Sequence, residues 1–127
     1  MRSIVGTWRL VKAEAHDASG YALPAPYGGK GMGRVTFNDE GRMATVVVDG
    51  RTDLPAGTAR DYSSYCGNYT FTGTRLVTHV DAASDRARFG SDQVREVSFD
   101  GDYMVLRPPA RPGGEHRVLT WERISEV

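Results

Sequence analysis

Two tryptophan segments sit at the two ends of this chain. Gly6-Thr7-Trp8 opens the first apolar stretch, and Leu119-Thr120-Trp121-Glu122-Arg123 closes the last. A Gly-x-Trp on a first strand and an Arg on a last strand suit a sheet whose ends meet. In such a barrel the indole plugs one end, and the guanidinium stacks on the face of the ring.

Between these segments an alternating apolar-polar pattern dominates, and turn residues recur at short intervals. Strands are expected near 4–16, 32–38, 42–49, 67–72, 75–82, 92–100, 103–109 and 115–124. Asp17-Ala18-Ser19-Gly20, Asn38-Asp39-Glu40-Gly41, Thr72-Gly73-Thr74 and Asp100-Gly101-Asp102 supply the turns. Eight antiparallel strands in sequence order close most simply as an up-and-down β-barrel, which removes the exposed edges. The stretch 50–65 fits no strand, and a short helix or lid is expected near 56–65. The 127 residues form one domain, 1–127.

Acidic and basic residues balance at 16 each. That balance points to neither nucleic acid nor an anionic membrane as partner. A lone Cys66 excludes an intramolecular disulfide framework and reads as a small buried hydrophobe. His79 and His116 stand apart, with no metal-ligand spacing, so no metal and no cofactor are expected. Neither an apolar leader nor a membrane-spanning stretch is expected. A cytoplasmic protein, monomer or homodimer, without membrane insertion, is the expectation.

Hairpin pairing assigns the faces. A two-residue Gly101-Asp102 turn pairs Phe99 with Met104, Val97 with Leu106, and Glu96 with Arg107. Phe99, Met104, Val97 and Leu106 then point in, together with Gln93 and Arg95, while Glu96 and Arg107 point out. The Gly73-Thr74 turn pairs Phe71 with Leu76 and Tyr69 with Thr78, and puts all four inside. On the first strand Ile4, Gly6, Trp8 and Leu10 share the inner face. Unbroken parity carries Lys12, Glu14 and His16 onto it as well, unless a bulge intervenes. On the last strand Arg117, Leu119, Trp121 and Arg123 share a face.

Several residues are candidates for chemistry. Arg95 inside a barrel must be paired or must bind something. It is an anchor for a ligand oxygen, the partner of Glu14, or an arginine at the mouth whose head reaches water. Glu14 and His16 form a candidate proton-transfer pair near the open mouth. Tyr69 can meet a ligand carbonyl with its hydroxyl, and Tyr65 belongs to the expected lid. Gln93, Phe71, Phe99, Met104 and Leu106 complete the expected ligand-binding wall. Gly28-Gly29-Lys30-Gly31-Met32-Gly33 has the composition of a phosphate loop but leads into a strand, so it reads as a turn.

Taken in order, Gly6-Thr7-Trp8-Arg9-Leu10-Val11, Pro26-Tyr27-Gly28, Met32-Gly33-Arg34, Tyr65-Cys66-Gly67, Gln93-Val94-Arg95 and Leu119-Thr120-Trp121-Glu122-Arg123 resemble the bacterial and fungal lipocalin-like domain family, a calycin-type β-barrel. The resemblance runs nearly end to end. It implies a barrel that binds a small apolar or aromatic, oxygen-bearing molecule in its cavity. Lipocalin-like proteins also include cyclases and isomerases of natural-product (secondary metabolite) biosynthesis. In that alternative Arg95 stabilises developing oxyanion charge while Glu14 or His16 moves a proton, without a cofactor.

Overall fold

Glycine reverses the chain at the turns. Gly41, Gly73 and Gly101 hold φ values of 85°, 107° and 59°, which residues with a Cβ adopt only at a cost. Asn38 fixes the first of these turns by accepting from the amides of Glu40 and Arg42. The computed structural model describes residues 3–126. Its strands are β1 (Gly6–His16), β2 (Ala22–Leu23), β3 (Gly31–Phe37), β4 (Arg42–Asp49), β5 (Tyr62–Phe71), β6 (Arg75–Ala83), β7 (Asp92–Asp100), β8 (Tyr103–Arg107) and β9 (His116–Ser125).

Each long strand pairs antiparallel with the next, and β1 pairs with β9, so the sheet closes. The eight long strands form the barrel; β2 is a short strap on the far end of β1. The registers expected from the hairpins form. Phe99 faces Met104 and Val97 faces Leu106. Tyr69 faces Thr78 and Phe71 faces Leu76.

The plugged end is built as its residues imply. The Arg123 guanidinium lies 4.1 Å from the centre of the Trp8 ring. It also donates to the carbonyls of Val5 at 2.5 Å and Ser3 at 2.7 Å. The Trp8 indole N–H donates to the Ile4 carbonyl at 3.0 Å. Gly6, at φ 133°, leaves the space: a Cβ there would collide with the Ser125 carbonyl. Above the plug the interior is filled by rings. Phe99 contacts Trp8 and Phe71, and Phe37 meets Tyr69 edge to face.

Three expectations fail. The register of β1 against β9 slips between Leu10 and Lys12, and the bulge leaves Val11 as the extra residue. Parity flips there: Ala13 and Ala15 are buried, while Lys12, Glu14 and His16 turn to the outer face. The segment 56–65 is not a helix or lid. Residues 50–61 form an irregular loop, and Tyr62 and Tyr65 already belong to β5. The helical turns lie elsewhere, as single 3-10 turns at Pro26–Gly29 and Arg86–Arg88. Cys66 is also not buried: it is half-exposed, and its thiol meets Asp81 at 3.4 Å. Burial and then the Asp81 carboxylate push that thiol's pKa up, so it stays protonated.

Candidate functional site

The half of the barrel opposite the plug is hollow. Its cavity measures about 270 Å³. That volume accommodates a small organic molecule such as a substituted aromatic ring. Val35, Phe37, Met43, Val47, Leu76 and Leu106 supply apolar wall from β3, β4, β6 and β8. Leu119 and Trp121 complete it from β9.

The mouth is cationic. Arg95 on β7, Arg88 in the turn before β7, Arg111 in the β8–β9 loop and Arg117 on β9 all line the cavity. Among the described lining residues there is no Asp, Glu or His. Arg117 is paired with Glu115 at 2.9 Å, which holds the Glu115 carboxyl below its usual range. Arg88 stacks 5.1 Å from the centre of the Tyr65 ring.

Arg95 is the deepest of the four in its effect on chemistry. It donates to the Val94 carbonyl at 2.8 Å and to Gln93 Oε1 at 3.3 Å. Among the described residues no carboxylate forms an ion pair with it. Burial lowers its pKa, and the Tyr65 phenol beside it offsets part of that effect. A guanidinium stays charged even so. The result is a desolvated cation with donors left over. Glu14, its possible structural partner, is instead bound to Lys12 at 3.0 Å on the outer face.

Tyr27 crosses one side of the mouth. It holds φ 57°, the only positive φ among described non-glycine residues. Such a conformation costs on the order of 1–2 kcal/mol and is maintained by its surroundings. Those surroundings are visible. The buried Asp49 carboxylate receives Arg51 through both oxygens, Oδ1 at 3.0 Å and Oδ2 at 2.6 Å. The Arg51 side chain packs on Gly28, where a Cβ would collide with it. Arg60 adds bonds to the carbonyls of Asp49 and Arg51, at 2.7 and 2.6 Å. Burial and then Asp61 raise the Tyr27 pKa, so its hydroxyl remains a neutral donor.

Of the expected wall, Arg95, Gln93, Tyr65 and Leu106 come together at this cavity. Phe71, Phe99, Met104 and Tyr69 do not line it; they pack beneath it in the filled half. The Tyr69 hydroxyl is already used, donating to the Asn38 carbonyl at 2.7 Å. Glu14 and His16 lie outside the barrel. Arg88 and Arg111 escape sequence reasoning because they stand in connections, where no periodicity tells direction. Among the described residues, no three His, Cys, Asp or Glu side chains gather as a metal site. None of the helices there is long and apolar enough to cross a membrane.

A closed antiparallel barrel, plugged at one end and hollow at the other, defines the class of small-molecule-binding β-barrels. The family model of the lipocalin-like domain matches residues 5–55 and 49–124, and the chain belongs to that family. No curated protein and no solved structure matches it significantly.

Proposed function

We propose that this barrel binds a small organic anion, with its apolar or aromatic body inside the cavity and its oxyanion on Arg95. The observation that carries this reading is the cavity's composition: apolar depth, four arginines at the rim and, among the described residues, no acidic lining residue. Charge-assisted hydrogen bonds to a carboxylate, phenolate or enolate oxygen would use the donors that Arg95 has to spare. The cyclase or isomerase alternative is less well supported. The carriers expected for it, Glu14 and His16, face away from the barrel, which leaves the Tyr27 and Tyr65 hydroxyls as the proton donors at the cavity.

The test is calorimetric titration with phenylbutanoate and with phenylbutanamide, which share a body and differ in charge. The acid should bind at least about tenfold more tightly, in line with a charged hydrogen bond of about 1.5–3 kcal/mol. The preference should shrink as salt is added. Equal affinities, or a preference for the amide, would remove the reading.

A further inference from the structure

Four guanidiniums line one mouth, and only that of Arg117 has an ion partner among the described residues. Arg117 is bound to Glu115 at 2.9 Å, whereas Arg88, Arg95 and Arg111 form no salt bridge there. Asp61 stands near the Tyr27 phenol and raises its pKa. Counting Asp61 with Glu115, two carboxylates meet four guanidiniums, which leaves two positive charges in excess. Like charges crowded into a part-buried space repel one another. The Arg88 charge accordingly adds to the burial that lowers the Arg95 pKa. A ligand with one negative charge would leave half of that excess standing.

The cations are also placed to act on one group. The Arg88 guanidinium lies 5.1 Å from the centre of the Tyr65 ring, and the Tyr65 phenol is beside Arg95, so one side chain sets the spacing of both. The Tyr27 phenol lies in the field of Arg88, Arg111 and Arg117, and Arg95 in turn feels Tyr27. The donors can be reached. Among the described residues that are not exposed, Thr78 Oγ1 and Trp121 Nε1 alone are both sealed and unpaired. Arg88 and Arg95 are part-buried, so every nitrogen they leave unpaired keeps accessible surface. Arg95 is on the inner face and lines the cavity, so its open surface belongs to that cavity.

From this arrangement we infer that the head of the ligand is a dianion, a phosphate monoester carried on the apolar or aromatic body. This rests on the anion-binding reading above and deepens it. A monoester presents three terminal oxygens and close to two negative charges on one phosphorus. Planar guanidinium forks take such oxygens in pairs, so Arg95 and Arg88 share the head. Arg111 adds its charge from the exposed rim, and the neutral Tyr27 hydroxyl adds a donor. A carboxylate, with two oxygens and one charge, answers only part of this set. The cavity of about 270 Å³ takes one ring or short chain and not the two acyl chains of a membrane phospholipid. The ligand is therefore a free small molecule.

The test compares three ligands that share a phenylpropyl body: 3-phenylpropyl phosphate, its methyl diester and phenylbutanoate, titrated calorimetrically. The diester keeps the phosphorus and loses one charge. At about pH 8, where the monoester is a dianion, wild-type protein should bind it at least about tenfold more tightly than either of the others, as one more charged hydrogen bond provides. Added salt should weaken the monoester most. Inorganic phosphate, which lacks the body, should bind at least about tenfold more weakly than the monoester. Arg88→Gln and Arg111→Gln should each cut the preference for monoester over diester by about threefold or more, with a smaller change for phenylbutanoate. Equal binding of monoester and diester by wild type, or an undiminished preference in both variants, overturns the inference while leaving anion binding standing. Inorganic phosphate binding as tightly as the monoester, or failure of all three ligands to bind, overturns the inference together with the reading beneath it. The wild-type series decides the matter even if a variant folds poorly.

Discussion

Arg123 and Arg95 both belong to the inner face of this barrel, near opposite ends. Arg123 is used up: one ring face and two backbone carbonyls account for it. Arg95 holds the carbonyl of its own neighbour and one side-chain amide, beside the Tyr65 phenol, with no carboxylate ion-paired to it among the described residues. The same residue type thus closes one half of the molecule and leaves the other half chemically unfinished. Packing follows the same division. Trp8, Phe71, Phe99 and Met104 fill the plugged half, whereas Ala13, Ala15, Gly31 and Gly33 occupy inner positions toward the mouth. A barrel of eight strands is wide enough for a ligand only where its inner side chains are small. On the proposed reading, stability resides mainly in one half and specificity in the other.

The comparison can be broken most forcefully at the plug. Trp8→Ala removes a fully buried ring and should cost about 3–5 kcal/mol in chemical denaturation. Met104→Ala, which truncates a buried side chain in the same half, should cost about 2–5 kcal/mol. A negligible loss at either position would mean that the filled half is not the stabilising one. The arginines give a finer contrast. Arg123→Met should lose about 1–2 kcal/mol of stability through the broken stack and hydrogen bonds. Arg95→Met should leave the unfolding midpoint unchanged or raise it, since it removes a desolvated charge with no ion partner. If Arg95→Met proved the more destabilising of the two, the roles of the ends would be reversed.

Acid sharpens the comparison further. Arg51 holds the Asp49 carboxyl below its usual range, chiefly through side-chain hydrogen bonds. A depressed carboxylate pKa adds stability above its unfolded value, about 4, and loses it as pH falls through the lower folded value. Amide exchange at residues 27–31 should therefore stay slow from neutral pH down to about 4 and accelerate below it. Exchange around Trp8 should lag behind. Asp49→Asn should loosen the same turn already at neutral pH. Simultaneous loss of protection in both halves would show that the mouth does not open separately.

The smallest effects are expected outside the barrel. Glu14→Gln and His16→Ala should leave phenylbutanoate binding within about twofold of wild type, since both residues lie beyond the Val11 bulge on the outer face. A larger loss in titration would return them to the site.

Much of this division was legible in the sequence, and the failures have definite causes. Turns with Gly in positive φ set the hairpin registers, which placed Arg95, Gln93 and Leu106 on the inner face. The plug followed from Gly6, Trp8 and Arg123. The bulge was less visible, although its trace is there: Lys12, Glu14 and His16 alternate with Ala13 and Ala15, out of phase with Trp8 and Leu10. Small apolar residues mark the new inner face, but alanine is a weak signal beside charged neighbours. The depth of the cavity was not legible at all. Alternation tells which side a residue faces and not whether its neighbours fill the space, so Phe71, Phe99 and Met104 were expected beside a ligand and are found beneath the cavity. Tyr27 and the loop arginines gather only because distant connections meet at one rim.

The most direct test is calorimetric titration of phenylbutanoate into wild-type protein, Arg95→Met and Glu96→Gln. Residues 95 and 96 are adjacent on β7 and face opposite sides of the sheet. Arg95→Met should weaken binding by about 1.5–3 kcal/mol, and Glu96→Gln should leave it nearly unchanged. Equal affinity in Arg95→Met and wild type, or a larger loss in Glu96→Gln, would contradict an anion site inside the hollow half of the barrel.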